Sequence, residues 1–321
     1  LGLKEMIKQR LLSSAVIISL LAGVLHLDMH HPLMGVGGLW LMPLLLGLAL
    51  LATAELVDML NVDSMSIRKR HVMLAVALVH VLTFVPALLD AFGGGYPADC
   101  AVGRLGWAPI GAVLGISWLW VVEMKHYEEP GGGVVTRLGA SSLVILYTGV
   151  ALSFLTSLRT LPLPGEASSA WGMVALLSIV IVTKCGDSGA YFMGKTFGKH
   201  KMAPRLSPGK TMEGACGAFL AGMAAAVVVG NWIAPALVRM GQGDIVVATG
   251  PIWAWAIYGA LVTATGMFGD LAESLIKRDM QQKDSSSWLP GLGGVLDILD
   301  SITLSAVPAY LFWVSGLIGP Q

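Results

Sequence analysis

The chain has 321 residues, of which 55% are hydrophobic and 12% charged, with a mean hydropathy of +0.74 and a formal net charge of zero. Soluble domains carry about a quarter charged residues, so this composition excludes both an ordinary soluble enzyme and a disordered chain. The balance of 20 basic and 20 acidic residues gives no field that would attract nucleic acid, and no nucleic-acid partner is expected. Lipid must solvate much of the surface, and the expected fold class is all-α, a polytopic integral membrane protein.

Runs long enough to cross a bilayer as helix lie near residues 11–27, 33–57, 71–92, 105–123, 139–158, 170–186, 214–237, 251–276 and 299–319, which gives about nine spans. The first follows Lys4, Lys8 and Arg10 as a signal peptide would. It is long, lacks a clear small-residue cleavage site and is soon followed by another span, so it is expected to be retained. His26, Asp28, His30 and His31 are expected at a short interfacial turn rather than around a metal. The loop at 93–106 and the Pro-Gly-Gly-Gly run at 130–133 read as flexible connectors. In the seventh span Gly214, Ala218, Gly222, Ala226 and Gly230 form a stripe of small residues, expected to let another helix approach closely.

Counting Lys and Arg by loop orients the chain. The N-terminus and the loops after spans 2, 4, 6 and 8 hold 16 of the 20. The opposite loops hold Arg104, Arg159 and Arg239, and Lys184 lies within a span. Positive residues collect on the cytoplasmic side, so the N-terminus is expected there. Residues 1–165 are read as a scaffold of five spans with oligomer contacts, which leaves a homodimer open, and 166–321 as four spans carrying the chemistry. Cys100, Cys185 and Cys216 form neither a CxxC pair nor an even set, which argues against a disulfide framework.

Ionisable groups at membrane depth are functional candidates by default, and here they concentrate in two segments. In the second of these, Asp270, Glu273, Ser274 and Lys277 fall at i, i+3, i+4 and i+7, one stripe of a helix. Asp297 and Asp300 are one turn apart beyond the glycine-rich stretch 291–294. Two acidic patches at one membrane face offer hard oxygen ligands suited to Mg²⁺ and a bound phosphate chain, and Asp270 and Asp297 are the expected metal ligands. In the first segment Ser207 before Pro208 reads as an N-cap and first helical residue, which would aim backbone N–H groups, Lys210 and Thr211 at an anion. Gly209-Lys210-Thr211 is not a P-loop, because Pro204 stands where that pattern requires glycine. Lys195, Lys199 and Lys201 read as ordinary cytoplasmic-side loop charges.

Lys277-Arg278, Lys283-Asp284-Ser285, Leu289-Pro290-Gly291, Gly293-Gly294, Leu296-Asp297 and Asp300 resemble the signature of the phosphatidate cytidylyltransferase (CDP-diacylglycerol synthase) family. Asp187, Ala190-Tyr191, Gly194, Gly198, Pro204, Ser207-Pro208, Lys210-Thr211 and Glu213-Gly214 resemble the same family's upstream motif. Together the motifs cover roughly the last 140 residues of the sequence. Leu292 stands where family members commonly have histidine and Ile298 where they have arginine, so neither can carry that chemistry here.

The resemblance implies that CTP and phosphatidate give CDP-diacylglycerol and pyrophosphate at the cytoplasmic face of a bacterial-type membrane. It implies Mg²⁺ on Asp270 and Asp297, with a second cation open, and Asp187, Glu273 and Asp300 as supporting carboxylates. Lys277, Arg278 and Lys283, beside Asp284, would clamp phosphates. Tyr191, Ser207, Lys210, Thr211 and Glu213 would hold the nucleotide or lipid head group. A CTP-dependent polyprenol or phytol kinase is the nearest alternative, and a secondary transporter the alternative from another class.

Overall fold

In the computed structural model residues 3–61, 65–128, 132–163, 168–242, 248–286 and 293–320 are described, with backbone alone for 3–14, 17, 241 and 242. The protein is mostly helical. In chain order the helices are α1 (Leu3–His30), α2 (Met42–Leu60), α3 (Lys69–Thr83), α4 (Val85–Ala91), α5 (Trp107–Lys125), α6 (Val134–Arg159), α7 (Ser168–Phe197), α8 (Met212–Met240), α9 (Ile252–Asp279) and α10 (Val295–Val314). A 3₁₀ turn, Leu39–Leu41, leads into α2, and α6 and α8 each contain a π-helical stretch, Ile145–Ala151 and Val229–Ile233.

Among the described residues seven helices are long and apolar enough to cross a membrane, and an eighth span results if α3 and α4 count as one. That pair is bent by 43°. Pro86 sits in the first turn of α4 and cannot donate a backbone hydrogen bond, so the apolar run at 71–92 breaks at Phe84 instead of continuing straight. Where the first span is expected, the apolar stretch among the described residues of α1 is Ile18–His30, shorter than the seven that qualify. The helix runs through His26, Asp28 and His30, so the turn expected there begins only at His31. Asp28 is buried and accepts the Gly38 N–H at 2.8 Å, which ties the following loop to the helix.

The chain forms two compact units, Leu1–Ser157 with Asp279–Leu299, and Leu158–Arg278 with Asp300–Gln321. The boundary expected between 165 and 166 therefore meets a change of unit at Ser157–Leu158, and Asp279–Leu299 belongs with the N-terminal helices.

In the first unit α3 presents Ala75 and Val79 to α5, where glycines remove the obstacle to close approach. A Cβ on Gly111 would meet the Val79 backbone at 2.8 Å, and one on Gly115 would meet the Ala75 Cβ at 2.7 Å. Buried Glu123 joins α5 to α6 by an ion pair with Arg137 at 2.6 Å. The loop at 93–106 is knitted rather than loose. Asp90 accepts from the Tyr96 N–H and pairs with Arg104, while the Tyr96 hydroxyl donates to the Gly103 carbonyl and accepts from Trp107 Nε1.

In the second unit the small-residue stripe of α8 packs helices, Gly214 against the Ala190 carbonyl of α7 and Gly222 against Gly259 of α9, and Gly217 beside the stripe adds to the seam. A Cβ on Gly217 would meet the Gly189 carbonyl of α7 at 2.6 Å, and one on Gly259 of α9 would meet the Gly222 carbonyl at 2.7 Å. Gly266 of α9 lies against Ser301 of α10 in the same way. These seams draw α7, α8, α9 and α10 together at one end. At the other, buried Trp255 stands edge to face with both Tyr258 and Trp313, and the Ser178 hydroxyl joins Tyr258 Oη at 2.7 Å and accepts from Trp313 Nε1 at 3.3 Å.

The one departure from an all-helical fold among the described residues is an antiparallel hairpin between α7 and α8. Its strands are β1 (Lys201–Ala203) and β2 (Ser207–Thr211), with Lys201 opposite Thr211 and Ala203 opposite Ser207. Ser207-Pro208 thus lies in a strand, and the helix expected to begin there starts at Met212. Thr211 is its N-cap, with extended backbone and Oγ1 accepting the Gly214 N–H at 3.1 Å. Ser-Pro suits an edge strand as well as a helix start, and in a two-stranded sheet both strands are edges.

Candidate active site

The hairpin and the glycine seams enclose a cavity of about 150 Å³ in the second unit. Its wall comprises Asp187 and Tyr191 of α7, Lys210 and Thr211 of β2, Asp270 of α9 and Ser301 of α10. Five of these six were singled out by sequence; Ser301 was not. Two charged clusters line it. Lys210 Nζ lies 2.6 Å from Asp270 Oδ2. Lys184 Nζ lies 3.2 Å from both Asp187 Oδ2 and Ser301 Oγ, and the Ser301 hydroxyl donates to Asp187 at 3.3 Å.

The stripe expected on α9 forms as drawn from the helical period. The Ser274 hydroxyl reaches Asp270 at 3.5 Å, and Lys277 pairs with fully buried Glu273 at 3.0 Å. Arg278 Nε donates to the Leu206 carbonyl at 3.2 Å, tying the hairpin turn to the end of α9. Asp300 lies on α10 beside Ser301, and its backbone carbonyl packs on Gly269. Ser207 is on β2 but does not line the cavity. Glu213 is turned to the hairpin instead, where its carboxylate accepts from the backbone of Lys199 and His200 and pairs with His200 Nδ1 at 2.6 Å.

Lys283, Asp284, Ser285 and Asp297 belong to the first unit. Lys283 and Asp284 are exposed. Asp297 lies in the first turn of α10, where Oδ2 accepts from Gly294 N at 2.7 Å and Ser285 N at 3.1 Å, with Ser285 Oγ 2.9 Å away. Gly293 has φ +86°, and a Cβ there would meet Asp297 Oδ2 at 2.5 Å, so glycine is required. Leu292, with the rest of 287–292, lies outside the described residues.

Glu55 lies outside both sequence motifs. This residue of α2 is 7% exposed, and its carboxylate accepts from Ser285 Oγ, Ser286 Oγ, Val295 N and Leu296 N. The available signal was a lone glutamate inside an apolar span.

Among the described residues no three His, Cys, Asp or Glu side chains gather into a metal cage. The cavity instead offers carboxylates of two helices next to lysines and a hydroxyl-capped helix start, a donor set matched to phosphate oxygens and to a cation shared with them.

Fold and cavity together define an integral membrane protein with a polar pocket of both charge signs among its helices. The chain belongs to the cytidylyltransferase family, whose sequence pattern matches residues 8–315, well beyond the C-terminal motifs. It is 37% identical over 142 residues to the phosphatidate cytidylyltransferase of Haemophilus influenzae, covering 44% of this chain and 46% of that protein. To the phosphatidate cytidylyltransferase of Pseudomonas aeruginosa it is 37% identical over 215 residues, covering 64% and 70%. To that of Mycobacterium bovis it is 31% identical over 217 residues, covering 66% and 64%. The chain thus spans about half the length of the first of these relatives and roughly two thirds of the others.

Proposed function

We propose that the chain transfers the cytidylyl group of CTP to phosphatidate, giving CDP-diacylglycerol and pyrophosphate. The observation that carries this reading is the cavity in which Lys210, Thr211, Asp187 and Asp270 meet, in a chain whose relatives are named phosphatidate cytidylyltransferases. A phosphomonoester oxygen of the lipid attacks the α-phosphorus of CTP. The bond from that phosphorus to the bridging oxygen breaks, and pyrophosphate leaves in line. No covalent enzyme intermediate is needed, so the protein's task is positioning and charge neutralisation.

In this reading Lys210 and Thr211 hold phosphate oxygens at the start of α8, and Lys184 and Ser301 keep the Asp187 carboxylate turned into the cavity. Lys277, Arg278 and Lys283 supply further positive charge to the substrates. Asp270 and, on the sequence argument, Asp297 are the proposed ligands of Mg²⁺; the hard oxygens of carboxylates suit that ion, which is commonly held by one or two of them together with substrate phosphates. When bound, it neutralises charge developing on the phosphates. A second cation has no assigned identity.

The distribution of Lys and Arg supports an N-terminus in the cytoplasm and a reaction at the inner leaflet, with nine spans when α1 is counted and α3 with α4 forms one. The lipid then reacts without leaving the bilayer, where each buried CH₂ is worth about 0.8 kcal/mol. The N-terminal helices serve as scaffold and as the surface a homodimer would use.

Purified protein incubated with phosphatidate, Mg²⁺ and α-labelled CTP should place label in the lipid fraction and release pyrophosphate. Lipid labelled from γ-labelled CTP with release of CDP would make it a lipid kinase, and no labelled lipid from either nucleotide would remove it from both classes.

A further inference from the structure

Burying a carboxylate in an apolar helix is unfavourable unless donors surround it. Glu55 has four, two on each oxygen. Oε1 accepts from Ser286 Oγ at 2.7 Å and Val295 N at 3.0 Å, and Oε2 from Ser285 Oγ at 3.0 Å and Leu296 N at 2.9 Å. The N–H groups of Val295 and Leu296 are the first two of α10, which no carbonyl within that helix can satisfy. Glu55 therefore acts as a capping carboxylate supplied by another helix, with its charge at the positive end of the α10 dipole.

The contacts continue to Asp297. The Ser285 hydroxyl stands between Glu55 Oε2 and Asp297 Oδ2, at 3.0 and 2.9 Å, with one proton to share between two carboxylates. Gly294, whose N–H donates to Asp297, has no room for a side chain, because a Cβ would run into Ser285 Oγ and the Glu55 carboxylate. All of these groups belong to the first unit. One oxygen of Asp297 is thus set by Ser285, which also hydrogen-bonds Glu55, and by Gly294, which lies against the Glu55 carboxylate.

We propose that Glu55 is a positioning residue of the reaction: through Ser285 and the first turn of α10 it fixes the carboxylate of Asp297 in the orientation that metal binding needs. This rests on the reading of Asp297 as a metal ligand. Glu55 touches neither substrate nor metal in this scheme. Its neutral amide counterpart keeps the shape but presents an N–H₂ to groups that are themselves donors, so Glu55→Gln should release the turn without opening a cavity.

The test uses the full chain in detergent micelles, with Mn²⁺ as the probe ion followed by electron paramagnetic resonance in the absence of substrate. Amide hydrogen exchange over residues 293–299 reports the turn independently of any metal. Glu55→Gln should exchange faster there, bind Mn²⁺ about tenfold or more weakly, and lower kcat while KM for CTP stays within about threefold. Glu55→Asp, which keeps the charge, should recover part of both readouts.

Ser285→Ala leaves the backbone capping intact and removes only the bridge, so it should weaken Mn²⁺ binding with little change in exchange; it carries the test if Glu55→Gln is not recovered monodisperse. Wild-type Mn²⁺ affinity in both Glu55→Gln and Ser285→Ala would overturn the proposal, as would faster exchange in Glu55→Gln with unchanged affinity and kcat. Wild-type affinity and activity in Asp297→Asn would overturn it differently, by removing the metal role of Asp297, and the exchange result would still show whether Glu55 holds the turn.

Discussion

Lys210 Nζ on strand β2 and Asp270 Oδ2 on helix α9 lie 2.6 Å apart in the wall of one cavity. Both side chains are largely shielded, at 22% and 32% exposure, so each partner reduces the cost of shielding the other. A cation so placed can neutralise a substrate phosphate without reorganising when the substrate arrives. Lys210→Ala should lower kcat/KM for CTP by about 10- to 100-fold, with partial recovery in Lys210→Arg. Steady-state kinetics of the three proteins at saturating phosphatidate decide this, and equal kcat/KM in the alanine variant would remove Lys210 from the site.

The two carboxylates proposed for Mg²⁺ give a second expectation. Asp270→Asn and Asp297→Asn keep side-chain volume and remove the charge that a hard cation requires. Each should abolish labelled-lipid formation, with expression level and micelle elution position unchanged. EDTA should silence the wild-type protein, and added Mg²⁺ should restore it. Activity that persists through chelation would count against metal assistance, and activity in either variant would dismiss that residue alone.

Much of this architecture could be read from residue order because it depends on local periodicity. Apolar runs of bilayer length became helices, and the spacing of Asp270, Glu273, Ser274 and Lys277 predicted a stripe whose members do touch. What escaped depends on partners distant in the chain or on signals with two meanings. Glu55 meets Ser285 and Leu296 across 230 and 241 residues, so its lone charge in an apolar span could mark it but not name its partners. Ser207-Pro208 has the chemistry of a helix start, yet Thr211 four residues later holds that place because its hydroxyl captures the Gly214 N–H. Glu213 is expected near substrate because it sits inside a motif; its contacts with His200 and the backbone beside it, 13 and 14 residues earlier, could not be read from that motif.

The glycine seams predict where the second unit is least tolerant of added volume. A methyl on Gly217 would press on Met193 and the Gly189 carbonyl, whereas one on Gly139 of α6 would meet nothing within 4 Å. Gly217→Ala should therefore destabilise the fold by about 1–3 kcal/mol through overpacking. Gly139→Ala, on an exposed helix face, should be neutral or stabilising by a few tenths of that or more, since alanine favours helix by about 1 kcal/mol. Thermal aggregation midpoints in the same detergent compare the two. A Gly217→Ala midpoint at or above wild type would show that α7 and α8 do not depend on this contact.

The aromatic cluster at the far end of the same unit makes a separate demand. Ser178 is fully buried and its single hydroxyl serves Tyr258 Oη and Trp313 Nε1, both of which are also buried. Removing it by Ser178→Ala takes a partner from two buried polar groups, a loss of about 1–3 kcal/mol. Tyr258→Phe removes one of those groups as well, so the double variant should be less destabilised than the sum of the singles, with a coupling of about 0.5 kcal/mol or more. Because the cluster lies away from the cavity residues, kcat per folded molecule should stay within about twofold in all three variants. Additive midpoints in this cycle would mean that Ser178 and Tyr258 contribute through packing alone.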